Sequence, residues 1–133
     1  MNFLLITDNG YPALVKNDSD RSLYALQQLV DGYVDCVAAN PEALGFHADV
    51  WVNDEGLYRE DFSINLVGSF ITGRQLVGPV VIALSDTDGA TTGLMSAHLE
   101  QLRSDGLDID DNGGKGWTVE EAVYFFGPQV ASV

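Results

Sequence analysis

The stretch Gly78-Pro79-Val80-Val81-Ile82-Ala83-Leu84 contains an almost unbroken apolar run. A run of this kind, bounded by turn residues, is typical of a strand that is covered on both faces of a sheet. Gly78-Pro79 introduces the run and Asp86-Thr87-Asp88-Gly89 ends it. The sequence therefore predicts a central strand near residues 79–85, with other parts of the chain packed on each face.

Four other segments predict strands of the same sheet. Two short apolar runs flank Asn9-Gly10, which is a good hairpin signal. Because proline lacks an N–H, Pro12 predicts that the second strand begins at an edge or just after the proline. Tyr33–Val37 and Val50–Val52 are rich in β-branched and aromatic residues. We expect these strands near residues 2–7, 12–16, 33–38 and 49–53.

Helical spacing of apolar residues predicts helices near residues 20–31, 63–72, 93–104 and 118–126. Ser19 or Asp20 is expected to cap the first helix, with Gly32 ending it, and Ser63 is expected to cap the second. Thr118-Val119-Glu120-Glu121 has the form of a capping box. The two earlier helices are expected to cover a face of the sheet.

The predicted fold is α+β, a single mixed sheet covered by helices, with a C-terminal helical appendage. The pattern changes after Gly89, so we divide the chain into a core over residues 1–89 and an appendage over residues 90–133. The appendage is too short for a second core, and we expect it to pack on the first as part of one domain.

The chain is strongly acidic. Its 133 residues include 6 Lys plus Arg against 20 Asp plus Glu, which makes the formal net charge −14. Such a charge argues against direct nucleic-acid binding, because that mode depends on cations that neutralise phosphates. The sequence has no apolar run of membrane-spanning length, no secretory signal and a single cysteine, Cys36, so we expect a cytoplasmic protein with no membrane association.

Three short motifs lie between Leu23 and Val81. They are Leu26–Val34, then Val52-Asn53-Asp54-Glu55-Gly56-Leu57 with Asn65 downstream, and then Val77-Gly78-Pro79-Val80-Val81. This segment resembles a family of small proteins of unknown function that occurs in bacteriophages and bacteria, although Asp31 and Pro79 depart from its usual residues. The resemblance implies a phage or mobile-element origin and implies no reaction. Residues after Gly89 lie outside it.

The loop Asp108-x-Asp110-x-Asn112-Gly113 has the first positions of an EF-hand calcium loop. Val119 stands where the bidentate carboxylate belongs, so we interpret the loop as an acidic, glycine-rich connector. Gly113-Gly114-Lys115-Gly116 lacks the preceding strand and the Lys-Ser/Thr ending of a phosphate-binding loop. We expect the chain to fold without a metal or a cofactor.

Two residues with reactive side chains are interpreted as structural. His98 falls on the expected inner side of a helix and is interpreted as a hydrogen-bonded structural histidine. Cys36 lies within an apolar run and is interpreted as a small buried hydrophobic residue.

The turn after the strand near 49–53 carries the mixture of side chains that best suits recognition: carboxylates, an amide, an aromatic ring and a guanidinium. With Arg74, which follows another glycine-marked turn, the predicted binding residues are Asn53, Asp54, Glu55, Tyr58, Arg59, Glu60, Asp61 and Arg74. The crowded carboxylates could also serve acid–base chemistry, but with so many acids a solvated turn is the simpler interpretation.

The function predicted from these features is a non-catalytic, phage-encoded binding protein whose acidic surface engages a host protein with a basic surface. It could act as a nucleic-acid mimic or a counter-defence factor. One alternative is a protein that binds a small anionic, nucleotide-like ligand through Arg59 or Arg74. Another is a metal-assisted hydrolase, and a third is that the acidity serves only solubility.

Overall fold

The structure is a computed structural model and describes residues 1–127. Six strands and five helices follow one another along this part of the chain, with a short 3₁₀ turn at Gly56–Tyr58. In chain order they are β1 (Asn2–Ile6), β2 (Pro12–Lys16), α1 (Ser22–Val30), β3 (Val34–Ala38), α2 (Pro41–Leu44), β4 (Asp49–Asn53), α3 (Leu66–Thr72), β5 (Val80–Ser85), β6 (Thr91–Thr92), α4 (Ser96–Ser104) and α5 (Val119–Phe126).

One open sheet forms the centre of the fold, with the strand order β2-β1-β5-β4-β3 and β6 paired to the end of β5. The strand ladders are antiparallel, and residues 13 and 15 of β2 add isolated parallel bridges to Asp110 and Trp117. β5 is central and β2 lies at the edge, as the apolar run and Pro12 predicted. The prediction of an α+β fold is confirmed.

Both faces of the sheet are covered, which explains why β1 is apolar from Phe3 to Ile6 and β5 from Val80 to Leu84. Side chains alternate between the faces of a strand. Leu4 and Ile82 face α2, α3 and α4, whereas Leu5 and Val81 face α1 and α5. The two helices predicted near 20–31 and 63–72 therefore cover opposite faces rather than one.

The ends of α1 and α3 differ from those predicted. Arg21, not Ser19 or Asp20, occupies the N-cap position of α1, and Asp31 takes the left-handed conformation that was expected of Gly32. Asp is one of the few residues with a side chain that visits this conformation. Asn65 rather than Ser63 caps α3, because the Ser63 N–H is held by the Asp8 carboxylate at 2.9 Å and the chain at Ile64 is still extended.

Residues after Gly89 complete the sheet and both helical layers. β6 pairs with β5, α4 packs on one face, and α5 packs beside α1 on the other. The loop between α4 and α5 also covers the exposed edge of β2, with the Lys16 N–H donating to Trp117 O at 2.7 Å and the Trp117 N–H donating to Leu14 O at 2.8 Å. The last six residues of the predicted appendage lie outside the described residues.

The capping box at Thr118 and Glu121 forms as predicted, with both reciprocal hydrogen bonds present. The described part of the chain holds no helix with the length and apolar character needed to cross a membrane.

Asn65 joins three parts of the fold through one completely buried side chain. Its Nδ2 donates to Ile6 O at 3.0 Å, Thr7 O at 3.2 Å and Gly78 O at 2.9 Å, while its Oδ1 accepts from Gly68 N at 2.8 Å. A side chain at position 68 would place its Cβ only 3.1 Å from Val80 and 3.2 Å from the Asn65 oxygen, which explains a glycine inside α3. The start of α3 is therefore tied directly to β1 and to the entry of β5.

We expect Asn65→Ala to lower the free energy of unfolding by about 3 kcal/mol, because it leaves several buried carbonyl groups and one N–H without partners. Urea denaturation measures the change. Asn40→Ala is the matched control, since exposed Asn40 also caps a helix, with its Oδ1 accepting from Glu42 N at 3.0 Å. We expect a loss of about 1 kcal/mol there. Equal losses in the two variants would contradict the role of Asn65.

Candidate binding surface

The predicted binding residues lie on and around the turn that follows β4. We call residues 54–60 the acidic turn. Asp54, Glu55 and Glu60 are exposed on it. Leu57 and Tyr58 project from the 3₁₀ turn with 76% and 87% of their surface exposed. The acidic turn thus presents an apolar and an aromatic side chain among carboxylates.

Asn53 supports the acidic turn from inside. Its Nδ2 donates to Val30 O at 3.0 Å and to Asp31 O at 3.1 Å, and its Oδ1 accepts from Glu55 N at 2.8 Å. The residue is buried. Its prediction as a surface binding residue is therefore corrected: the amide is used to join the end of α1 to the acidic turn.

Gly56 brings the acidic turn close to the rest of the fold. The residue is buried, and a Cβ at this position would lie 3.1 Å from the Val77 side chain and 3.5 Å from the Val77 carbonyl oxygen. A larger residue would push the backbone away from residue 77. The glycine therefore keeps the base of the turn packed while Leu57 and Tyr58 face outward.

Arg59 closes the far end of the acidic turn. Its Nε and Nη2 donate to the Asp61 carboxylate at 2.8 and 2.7 Å, Nη2 also reaches Asp31 Oδ2 at 2.8 Å, and Nη1 donates to Asp31 O at 3.1 Å. The guanidinium also lies 4.3 Å from the ring centre of Phe62. Hydrogen bonds to Asp61 and then Asp31 raise the Arg59 pKa, and the same contact lowers the Asp61 pKa.

These contacts change the interpretation of Arg59 and Asp61. A guanidinium that is already engaged by two carboxylates offers little to an incoming anion. These contacts weaken the prediction that Arg59 holds a small anionic ligand, and they make Asp61 a structural partner of Arg59.

Arg74 is brought to the acidic turn by the fold. It is exposed, and its side chain forms no ion pair within residues 1–127. A shallow depression of about 190 Å³ is lined by Arg74 together with Asn53, Asp54 and Leu57. Asp54 and Arg74 are 20 positions apart in the sequence and line the same depression.

Tyr33 extends the surface and was missed by the sequence analysis. Its side chain is 73% exposed, and its carbonyl oxygen accepts from Asp54 N at 3.0 Å. It stands at the start of an apolar, strand-like run, so its pattern indicated burial. Only its place beside the acidic turn shows that it belongs to the same surface.

In the loop that resembles an EF-hand, polar side chains form hydrogen bonds and an ion pair with other residues of the chain. The Tyr11 hydroxyl donates to the Asp110 carboxylate, Arg103 pairs with Asp111 at 3.1 Å, and the Asn112 amide donates to Gly116 O at 3.1 Å. Over residues 1–127 the structure contains no group of three or more His, Cys, Asp or Glu residues placed to hold a metal ion.

The prediction for His98 is confirmed, whereas the prediction that Cys36 is buried is wrong. His98 is a hydrogen-bonded structural residue, as predicted: its Nδ1 accepts from Met95 N at 2.9 Å and its ring packs on Phe46. Cys36 is exposed rather than buried, because β3 is an edge strand. Partial desolvation, with the nearby Asp49 and Asp35 carboxylates, raises the pKa of its thiol to about 11.

The chain matches the model of a known protein family. A family described as a domain of unknown function (DUF3846) matches residues 1–105. The match extends beyond the resemblance over residues 23–81 and includes α4, whereas α5 lies outside it. No curated protein and no solved structure matches the chain.

We expect Asp61 to titrate below its ordinary pKa of 3.8, because the Arg59 guanidinium favours the charged carboxylate. A lowered folded-state pKa means that the ion pair stabilises the fold above the ordinary value and that this support is lost as the pH falls through the lowered one. NMR titration of the carboxyl carbons measures it. Arg59→Met should return the Asp61 pKa towards 3.8, and the control Arg74→Met should leave it unchanged. A wild-type value of 3.8 or above would contradict this assignment.

We expect the exposed Cys36 thiol to react slowly at neutral pH despite its accessibility, because the thiolate is the reactive form. The alkylation rate with iodoacetamide should keep rising towards pH 11, instead of levelling off near the ordinary cysteine value of 9.0. Mass spectrometry follows the reaction, and the chain unfolded in urea serves as the control with an ordinary profile. A folded-state midpoint at or below 9.0 would show that neither partial desolvation nor the neighbouring carboxylates raise the pKa of the thiol.

Proposed function

We propose that this chain, which belongs to the DUF3846 family, is a non-catalytic binding protein whose acidic turn engages a protein with a basic surface. One observation carries the proposal. Leu57 and Tyr58 are almost fully exposed on a turn that is fixed at one end by Asn53 and at the other by Arg59. Rigid, exposed aromatic residues are typical anchors of protein interfaces, since little conformational freedom is lost on binding.

The charges around these anchors indicate the chemistry of the partner. Asp54, Glu55 and Glu60 surround them, and the whole chain carries a net charge of −14. Such a field steers basic surfaces towards the protein and repels acidic ones. A partner with a basic rim and an apolar centre would match the acidic turn.

The resemblance to phage and bacterial proteins supports a phage origin. In that setting the partner is a host protein in the host cytoplasm. A basic surface that normally binds nucleic acid is one such partner, and the acidic protein would then act as a nucleic-acid mimic in counter-defence.

The rival proposals receive less support from the same region. Arg59 is engaged by Asp31 and Asp61, which weakens the proposal of a small anionic ligand at the acidic turn. The hydrolase proposal has only the carboxylates of the turn, which face outward. If the acidity served only solubility, the position of a carboxylate on the surface would have no effect on binding.

Tyr58→Ala should weaken capture of the partner by about 30-fold, which corresponds to a typical interface anchor. Its stability should stay within about 0.5 kcal/mol of the wild type, because Tyr58 is 87% exposed. Immobilised wild-type and variant proteins are compared for capture from a host lysate, followed by affinity measurement with the protein recovered. Unchanged affinity of Tyr58→Ala would refute the acidic turn as the contact.

Charge position is tested separately with two triple variants. D54N/E55Q/E60Q should slow association strongly, whereas D88N/E100Q/D108N removes the same charge from exposed residues elsewhere and should slow it less. Raising the salt to physiological strength, where the screening length is ~8 Å, should slow wild-type association more than dissociation. Equal effects of the two variants would mean that only net charge matters.

A further inference from the structure

A groove between α1 and α5 lies on the sheet face opposite to α3. Its volume is about 720 Å³, and its floor is the end of β2 with the residues that follow. Lys16, Asn17, Arg21, Tyr24, Val123 and Tyr124 are among its lining residues. This size is within the range of small-molecule sites in proteins. None of its residues belongs to the acidic turn.

Asn17 is the first observation that points to a ligand. The residue is 6% exposed, and its Nδ2 has no hydrogen-bond partner within the described residues. Its Oδ1 accepts from Ser19 N at 3.3 Å, so the amide orientation is set. Buried donors are almost always paired, and an unpaired one is costly. The lining of the groove therefore includes a residue whose buried donor needs an acceptor.

Lys16 and Arg21 add positive charge beside this donor. They are two of the six cations in the chain, and neither forms an ion pair within residues 1–127. The Lys16 stem packs along Gly116, where a Cβ would lie only 2.7 Å from the lysine Cγ. The Arg21 guanidinium lies 4.4 Å from the ring centre of Tyr24, which holds it at the groove. Two separate cations and an amide N–H suit a phosphate group, which offers several acceptor oxygens.

The walls of the groove suit an apolar, planar body. Tyr24 and Tyr124 are 50% and 77% exposed, and Ala25, Val119 and Val123 complete the lining between them. A free phosphate would occupy only a small part of 720 Å³ and would leave these side chains in water. Aromatic side chains bind planar rings well, with about 1–3 kcal/mol per stacked base in nucleic-acid complexes.

We infer that this groove binds a small organic phosphate that carries a planar ring, of the class of the nucleoside monophosphates. Lys16, Arg21 and the Asn17 amide receive the phosphate, and the tyrosines flank the ring. The exposed carboxylates of Asp18 and Glu120 also line the groove and oppose the anion, so they limit its affinity. The site is independent of the protein-binding surface proposed above.

NMR spectroscopy of the wild-type chain tests the inference, because the side-chain NH₂ of Asn17 has its own signals. Adenosine monophosphate should shift these signals saturably. Inorganic phosphate and adenosine, added separately, should each have a much smaller effect. An equal shift with phosphate alone would remove the ring from the proposal, and an equal shift with adenosine alone would remove the anion. No shift with millimolar adenosine monophosphate would overturn the site.

Variants separate charge recognition from folding. Lys16→Met keeps the apolar stem against Gly116 and removes the charge, and it should weaken binding of adenosine monophosphate about tenfold. Glu120→Gln touches no hydrogen bond of the capping box and should tighten binding about threefold. Arg74→Met is the control outside the groove and should change binding less than twofold. Weaker binding by Glu120→Gln, or equal losses in the two Met variants, would contradict the site.

Discussion

The buried amide of Asn65 is the interaction on which the arrangement of this fold depends. β1 and β5 are adjacent in the sheet but lie far apart in sequence, and α3 must begin at the point where both approach it. One side chain meets three carbonyl groups and one N–H there, with the contact to Ile6 spanning 59 residues. Because water does not reach the site, each bond must be made internally.

A buried asparagine amide also bridges backbone groups at the acidic turn. The Asn53 amide joins the last residues of α1 to the turn after β4, and Arg59 ties the other end of the turn back to Asp31. The polar groups that a sequence pattern would assign to recognition are thus used as supports. The side chains that these supports leave exposed are, above all, Leu57 and Tyr58.

The few cations of this acidic chain are divided by their contacts. Arg59 and Arg103 are paired with neighbouring carboxylates. Lys16 and Arg21 stand together at the groove between α1 and α5. The protein therefore presents two surfaces of different chemistry: the acidic turn with its exposed Leu57 and Tyr58, and a groove where two cations and two carboxylates lie beside aromatic rings.

Most of the elements could be predicted from the sequence, because strand and helix patterns are local: the central strand at Val80–Ser85, the Asn9-Gly10 hairpin, the capping box and the α+β class were all predicted, whereas the short α2 and β6 were not. Long-range packing, by contrast, places helices on both faces, buries Asn53 and leaves Cys36 exposed. The groove and its unpaired Asn17 amide also required it. Such properties depend on partners distant in sequence, and no local periodicity encodes which long-range partner a polar side chain meets.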